Sequence, residues 1–412
     1  MKSTPKIRFI IPAAAAILLT FGRDDWLAFL PLHTWLDLTM NLFVVVIGSI
    51  FALKDVYPYL LNHNIFLRLL FLMLALWVAV IVIVGSPFNN WPSGTSILTL
   101  ILIILIVSQI SRFELRRLRH FVLVLVGLFT IYTLAFAKNI IQLLLSGNKT
   151  FRLGENISPS FLVAYPRIMY VIIIICIFSL IVEKSFWIRI YSAIMVILPI
   201  LIAFATGGRG PLVGFILAAF VIVLGIAKKY KIYYTIVLCV LIAIGYFVIS
   251  NYFPVMENRI VKGDDSGRNA IWKEVLGSST TWFGRGIFEE YPHNIFLEFL
   301  LFYGVFGLIL FLTFFVTLVV SLIRCYLRTR HNEILWVISV LVLQMTAQQF
   351  SLDIFNSGLW AAIMLPLGFS WDYSAVSDSE VMTFSEIMKK NKRNWFKRNH
   401  YIHQASLRDG KS

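Results

Sequence analysis

The sequence predicts an all-α polytopic membrane protein with about twelve transmembrane helices, cytoplasmic N- and C-termini and one large external loop. Three observations lead there. Hydrophobic residues make up 59% of the 412 and charged residues only 14%, whereas a soluble chain carries about 25% charged residues. Apolar runs long enough to cross a bilayer core recur from end to end, and an α-helix is a structure that satisfies its backbone polar groups within such a run. Lysine and arginine, finally, sort by loop: 25 of the 36 fall on one side of the alternating runs. The positive-inside rule makes that side the cytoplasm, and it holds both termini.

Taken in order, the spans fall at roughly 8–22, 35–53, 65–85, 94–110, 121–145, 160–182, 187–206, 211–227, 232–250, 294–323, 334–350 and 355–370. The first follows Lys2, Lys6 and Arg8. It reads as a span rather than a removed leader, because "FGRDDW" and not a small-residue cleavage site comes after it. "SRFELRRLRH" closes the fourth span on the basic side, "AKKYK" the eighth and "RCYLRTR" the tenth. Residues 1–370 thus read as one transmembrane domain with the external loop at 251–293, and 371–412 as a basic cytoplasmic tail. The tail's "MKKNKRNWFKRNH" suits the anionic inner leaflet, so membrane lipids are expected partners.

The formal charge of +15 raises the question of nucleic acid, but its sorting by membrane side argues for topology instead, and no nucleic-acid partner is expected. Three cysteines without a loop partner predict no disulfide, and no Cys/His cluster has zinc spacing. "GRDDW" and "GDDSG" offer adjacent carboxylates of a kind common in loops; neither a metal nor another cofactor is expected.

The outer side holds the unusual residues. "ATGGRGPLVG" places Arg209 in a very short loop among glycines, which let a backbone bend and approach a neighbour closely. "SGRNAIWKEVL" has the pattern of a short amphipathic helix, with Ile271, Trp272 and Leu276 able to lie against the membrane and Arg268 and Lys273 polar. "FGRGIFEEYPHN" is a glycine-punctuated turn into the tenth span, and Pro292 suits a helix start. "NKTFRLGENISPS" carries Arg152. Lys138 and Arg167 fall inside spans, where a charge either faces a cavity or partner or snorkels to the interface. Arginines bind phosphates by charge and by bidentate donation. Several of them at one membrane face suit a lipid-linked diphosphate, and one histidine beside them can take a proton or hydrogen-bond a phosphate oxygen.

"TGGRGPLVGFILA", "GRNAIWKEVL" and "GRGIFEEYPHNIFLEFLLFYGVFGLILFL" resemble, in that order, the conserved region of the bacterial O-antigen ligase and polymerase family. The matching residues are Arg209, Arg268, His293 and Asn294 within residues 200–315; "FRLGENISPS" resembles the family's upstream loop less closely. The chain departs from the family in having Gly208 where a serine is frequent, and its external loop is short for a ligase, which leans towards a polymerase.

The resemblance implies a membrane glycosyltransferase. A glycan on a polyprenyl diphosphate is passed, on the outer face, to a sugar hydroxyl of lipid A-core or of a second lipid-linked unit. Arg209 and Arg268 would clamp the diphosphate, and His293 would be base or phosphate contact. Arg152 and Arg167 would line the same cavity. Asn294 would orient His293 or cap its helix, and Glu298 would face the cavity or pair between helices. Gly304 and Gly307 read as close-packing positions, and Gln344, Gln348 and Gln349 as sugar contacts or span polar groups.

Two other classes fit part of this pattern. A transferase using a polyprenyl-monophosphate sugar would need a carboxylate in the first external loop, where Asp24 and Asp25 stand. A flippase or transporter of lipid-linked glycans would carry its charges near the midplane.

Overall fold

The computed structural model describes residues 65–85, 115–133, 161–206, 208–226, 268–277, 281–284 and 292–350, with a few single positions between 232 and 363. Every element among them is helical: α1 Ile65–Gly85, α2 Leu115–Thr133, α3 Phe161–Val182, α4 Phe186–Thr206, α5 Arg209–Ile226, α6 Arg268–Gly277, α7 Ile295–Thr329 and α8 Glu333–Gln348. By length and composition α4 and α7 each suffice to cross a bilayer. The expected spans at 8–22, 35–53 and 94–110, the 371–412 tail, and Asp24, Asp25, Lys138 and Arg152 lie outside the described residues.

The centre of the bundle is α3. Residues Ile168 through Cys176 and Phe178 are all buried, so the helix is apolar on every side, as a helix enclosed by others must be. It packs against α2, α4, α5 and α8. The long helix α7 packs on α1, with the Phe71 and Phe314 rings 5.6 Å apart. Exposed apolar side chains run along α7 at Phe306, Ile309, Leu312, Val316, Val320, Ile323 and Leu327. That spacing of three and four is the outward stripe of a helix facing hydrocarbon.

Helices α5 and α8 meet through small residues. A Cβ on Gly214 would come 2.7 Å from the Leu343 carbonyl oxygen, one on Gly225 within 2.4 Å of the Leu335 side chain, and Ser339 Oγ donates to the Ala218 carbonyl at 3.1 Å. Lipid is as apolar as leucine, so close van der Waals contact and interhelical hydrogen bonds supply the cohesion. Small residues on α5 are what allow it.

Two elements differ from the sequence reading. Helix α2 starts at Leu115, so Arg116 and Arg119 stand inside a helix rather than in the loop expected before residue 121. Leu115 and Leu118 are buried there in register with Val122, which draws the first turn onto the bundle. Helix α7 is interrupted: Gly304 has φ 73° and ψ −178°. The nine residues before it, 295 through 303, rise about 14 Å, too short to cross, while those after it suffice. The cause is a backbone insertion described below.

Candidate active site

Two polar groupings mark the two ends of the bundle. At one end, the α2 guanidinium of Arg119 is fully buried. It donates to both Glu333 carboxylate oxygens at 2.8 Å, to Ser179 Oγ at 2.7 Å, and to Glu183. Arg116 donates to Glu183 at 3.0 and 3.3 Å, and His120 Nε2 lies 2.6 Å from Glu183 Oε1. Burial alone would raise the Glu183 carboxyl; the hydrogen bonds from Arg116, His120 and Arg119 outweigh it and hold it at about 2. Sequence reading placed these arginines in the cytoplasmic loop and did not foresee their partners. The available signal was the apolar spacing of Leu115 and Leu118 around them.

Glu333 opens α8 at that end, so Gln348 closes it at the other. There Arg167, 2% exposed, donates to Gln348 Oε1 at 2.7 Å and to the Ala347 carbonyl at 2.9 Å. Gln348 therefore holds an arginine. Pro166 beside it touches the start of α5: a Cβ on Gly208 would lie 2.8 Å from the Pro166 ring, and one on Gly210 2.8 Å from Phe350 Cβ. Gly208 and Gly210 thus seat the start of α5 against α3 and the end of α8. Arg209 heads α5 between them, which brings its backbone next to the Arg167 turn.

The third arginine, Arg268, opens α6, at the position expected for it. On that helix Val275 is buried and Ile271 and Trp272 half-buried, whereas Leu276, expected on the same face, is 63% exposed. The indole N–H of Trp272 donates to the Pro292 carbonyl at 2.7 Å, tying α6 to the residue before His293. His293 is half-buried and its backbone is left-handed at φ 53°. Such a conformation costs about 1 to 3 kcal/mol outside glycine and persists only where the surroundings fix it. Burial, and then the Arg268 guanidinium, push the imidazole below its ordinary value, which favours its neutral form.

Asn294 caps α7: its Oδ1 accepts from the backbone N–H of Phe296 at 3.0 Å and of Leu297 at 3.3 Å. One turn on, Glu298 is fully buried. The structure thus ties α6, which Arg268 opens, to the residue before His293 and brings the start of α5 to the Arg167 turn, with Asn294 and Glu298 following His293 in sequence.

These residues fall largely in one segment that a protein family resembles. Residues 194–312 match the O-antigen ligase family model. The family resemblance drawn from the three motifs is borne out over that segment, and no curated protein matches the chain. The O-antigen ligase segment contains Arg209, Arg268, His293, Asn294 and Glu298, while Arg167 and Gln348 reach it from helices on either side in sequence. The match over this segment points to a membrane protein of surface-polysaccharide ligation or polymerisation.

Proposed function

We propose that this protein transfers a glycan from a polyprenyl-diphosphate carrier to a sugar hydroxyl on the outer face of the bacterial inner membrane. The reading includes twelve spans within residues 1–370, the external loop at 251–293, both termini in the cytoplasm and the 371–412 tail on the inner leaflet. Neither metal nor cofactor takes part in it. The observation that carries it is the hydrogen bond from Trp272 to the Pro292 carbonyl, which ties the helix that Arg268 opens to the residue before His293, inside the segment matched by the O-antigen ligase family.

In the reaction, the acceptor hydroxyl oxygen bonds to C1 of the donor sugar while the bond from C1 to the diphosphate oxygen breaks. The electron pair leaves with the polyprenyl diphosphate, and the hydroxyl proton passes to the His293 imidazole. Arg268 and Arg209 stabilise the charge that grows on the leaving diphosphate, where fixed cations act most strongly in a site shielded from water. Arg167, oriented by Gln348, and Arg152 line the same cavity. Asn294 sets the start of α7, and Glu298 borders the site one turn on. The acceptor is lipid A-core in ligation or a second lipid-linked unit in polymerisation.

Purified protein reconstituted with lipid-linked donor and acceptor tests the reading. Arg268→Ala and His293→Ala are each expected to lower transfer by about a hundredfold or more, the usual worth of a general base or a preorganised charge. Normal product from the His293 variant would remove its assigned role. Loss of activity in Asp24→Asn with full activity in His293→Ala would favour the monophosphate-sugar mechanism.

A further inference from the structure

The break in α7 is made by another part of the chain. In an uninterrupted helix the N–H groups of Val305 and Phe306 would bond to the carbonyls four residues back. Here they donate instead to the carbonyls of Thr281, at 3.1 Å, and Trp282, at 3.3 Å. Gly284 has φ 80°, and a Cβ on it would fall 2.1 Å from the Phe302 carbonyl oxygen. A Cβ on Gly304 would fall 2.4 Å from both the Gly284 nitrogen and the Trp282 oxygen. Two glycines, both at positive φ, therefore let the external loop enter the helix backbone to backbone.

A carbonyl at the break is satisfied and the junction is covered. Trp77 of α1 donates its indole N–H to the Tyr303 carbonyl at 3.0 Å. Its ring lies 4.8 Å from that of Phe306 and 5.9 Å from that of Phe283. No described side chain of residues 295 through 303 is exposed, unlike the striped remainder of α7. Irregular backbone at such a place is tolerated when it is enclosed by protein.

The external loop is thus fastened twice. One fastening is the junction of 281–284 with 304–306; the other is Trp272 to the Pro292 carbonyl. Arg268 lies four residues before Trp272 and so on the same face of α6. The second fastening accordingly fixes the distance between Arg268 and His293. We propose that Trp272, together with the Gly284–Gly304 junction, positions Arg268 against His293, a role that rests on the reading of these two residues as the transfer site. The charged group that acts on His293 is Arg268 from α6, and Glu298 is buried one turn beyond Asn294 on α7.

Trp272→Phe tests this, because it keeps an aromatic ring and removes only the N–H. The variant is expected to reach the membrane and unfold at the temperature of the parent. Its turnover at saturating donor is expected to fall about tenfold or more, since misplacement by about 1 Å can cost a hundredfold. With Arg268 and the surrounding protein less closely held, His293 should bind its proton at higher pH, so the acid limb of the rate profile should move up. Titration of the His293 ring by NMR in the full-length protein, assigned with His293→Gln, reads the same change without turnover. Parental turnover together with an unmoved His293 titration overturns the inference. Absence of transfer by the parent protein counts against the functional reading, and the titration still decides the fastening.

Discussion

The two ends of the helical bundle handle their arginines in opposite ways. At the α8 start, Arg119 meets the carboxylates of Glu183 and Glu333, and its donors are matched to charges of opposite sign. At the other end Arg167 is held by an amide oxygen and a backbone carbonyl, and Arg268 stands beside a histidine whose protonation it opposes. The first arrangement neutralises charge and joins α2, the α3–α4 turn and α8. The second leaves its arginines with neutral partners, at helix starts and ends where position depends on loops. A polar residue in this chain is therefore understood by what balances it, not by being charged within an apolar sequence.

The sharpest way to break the comparison is Arg119→Met. Removing one member of a buried charge set leaves the others uncompensated, at a cost of about 3 to 5 kcal/mol. Thermal unfolding in detergent should show this as the largest loss of stability, and an unchanged midpoint would mean that the inner cluster does not lock the bundle.

Acid acts next. Glu183 is held at about 2 against an ordinary value of 4.5, so its contribution is present above pH 4.5 and lost as the pH falls towards 2. Unfolding followed across that window should weaken by a few kcal/mol, about 1.4 for each pH unit of the shift. In Glu183→Gln the same window should be flat.

The smallest effect sharpens the opposite end. Asn294→Ala removes a cap and should cost about 1 kcal/mol, most of which Asn294→Ser should restore. Restored stability with transfer still lost would give Asn294 a substrate contact as well as its cap.

Much of the helical framework was legible in the apolar runs. The expected 65–85, 160–182 and 187–206 agree with α1, α3 and α4 to within a residue, because the length of an apolar run is a property of the local sequence. The start of α2 was not legible: its arginines read as loop residues, and their partners lie 60 to 214 positions away. The break in α7 was hidden for a related reason. "FLLFYGVFGLILFL" stays apolar through Gly304, and the chain that interrupts it comes from a polar loop some twenty residues earlier. Within the candidate site, Arg268, His293 and Arg209 were visible as ordered motifs. Gln348 was read as a sugar contact or span polar group and Trp272 as a membrane-facing residue; the partners they take were not legible, because each acts on a neighbour through a single hydrogen bond that spacing does not encode.

The inner cluster also imposes an order on biosynthesis. Arg119 and Glu183 enter the membrane early, but Glu333 is made 150 residues after Glu183. At roughly 5 to 20 residues per second, that is on the order of 8 to 30 seconds during which the arginine has only part of its final set of partners. The arrival of α8 then draws together two segments already made, α2 and the α3–α4 turn. Glu333 is in this sense the keystone of assembly: the bundle closes at the Arg119 end only when the eleventh expected span has been synthesised.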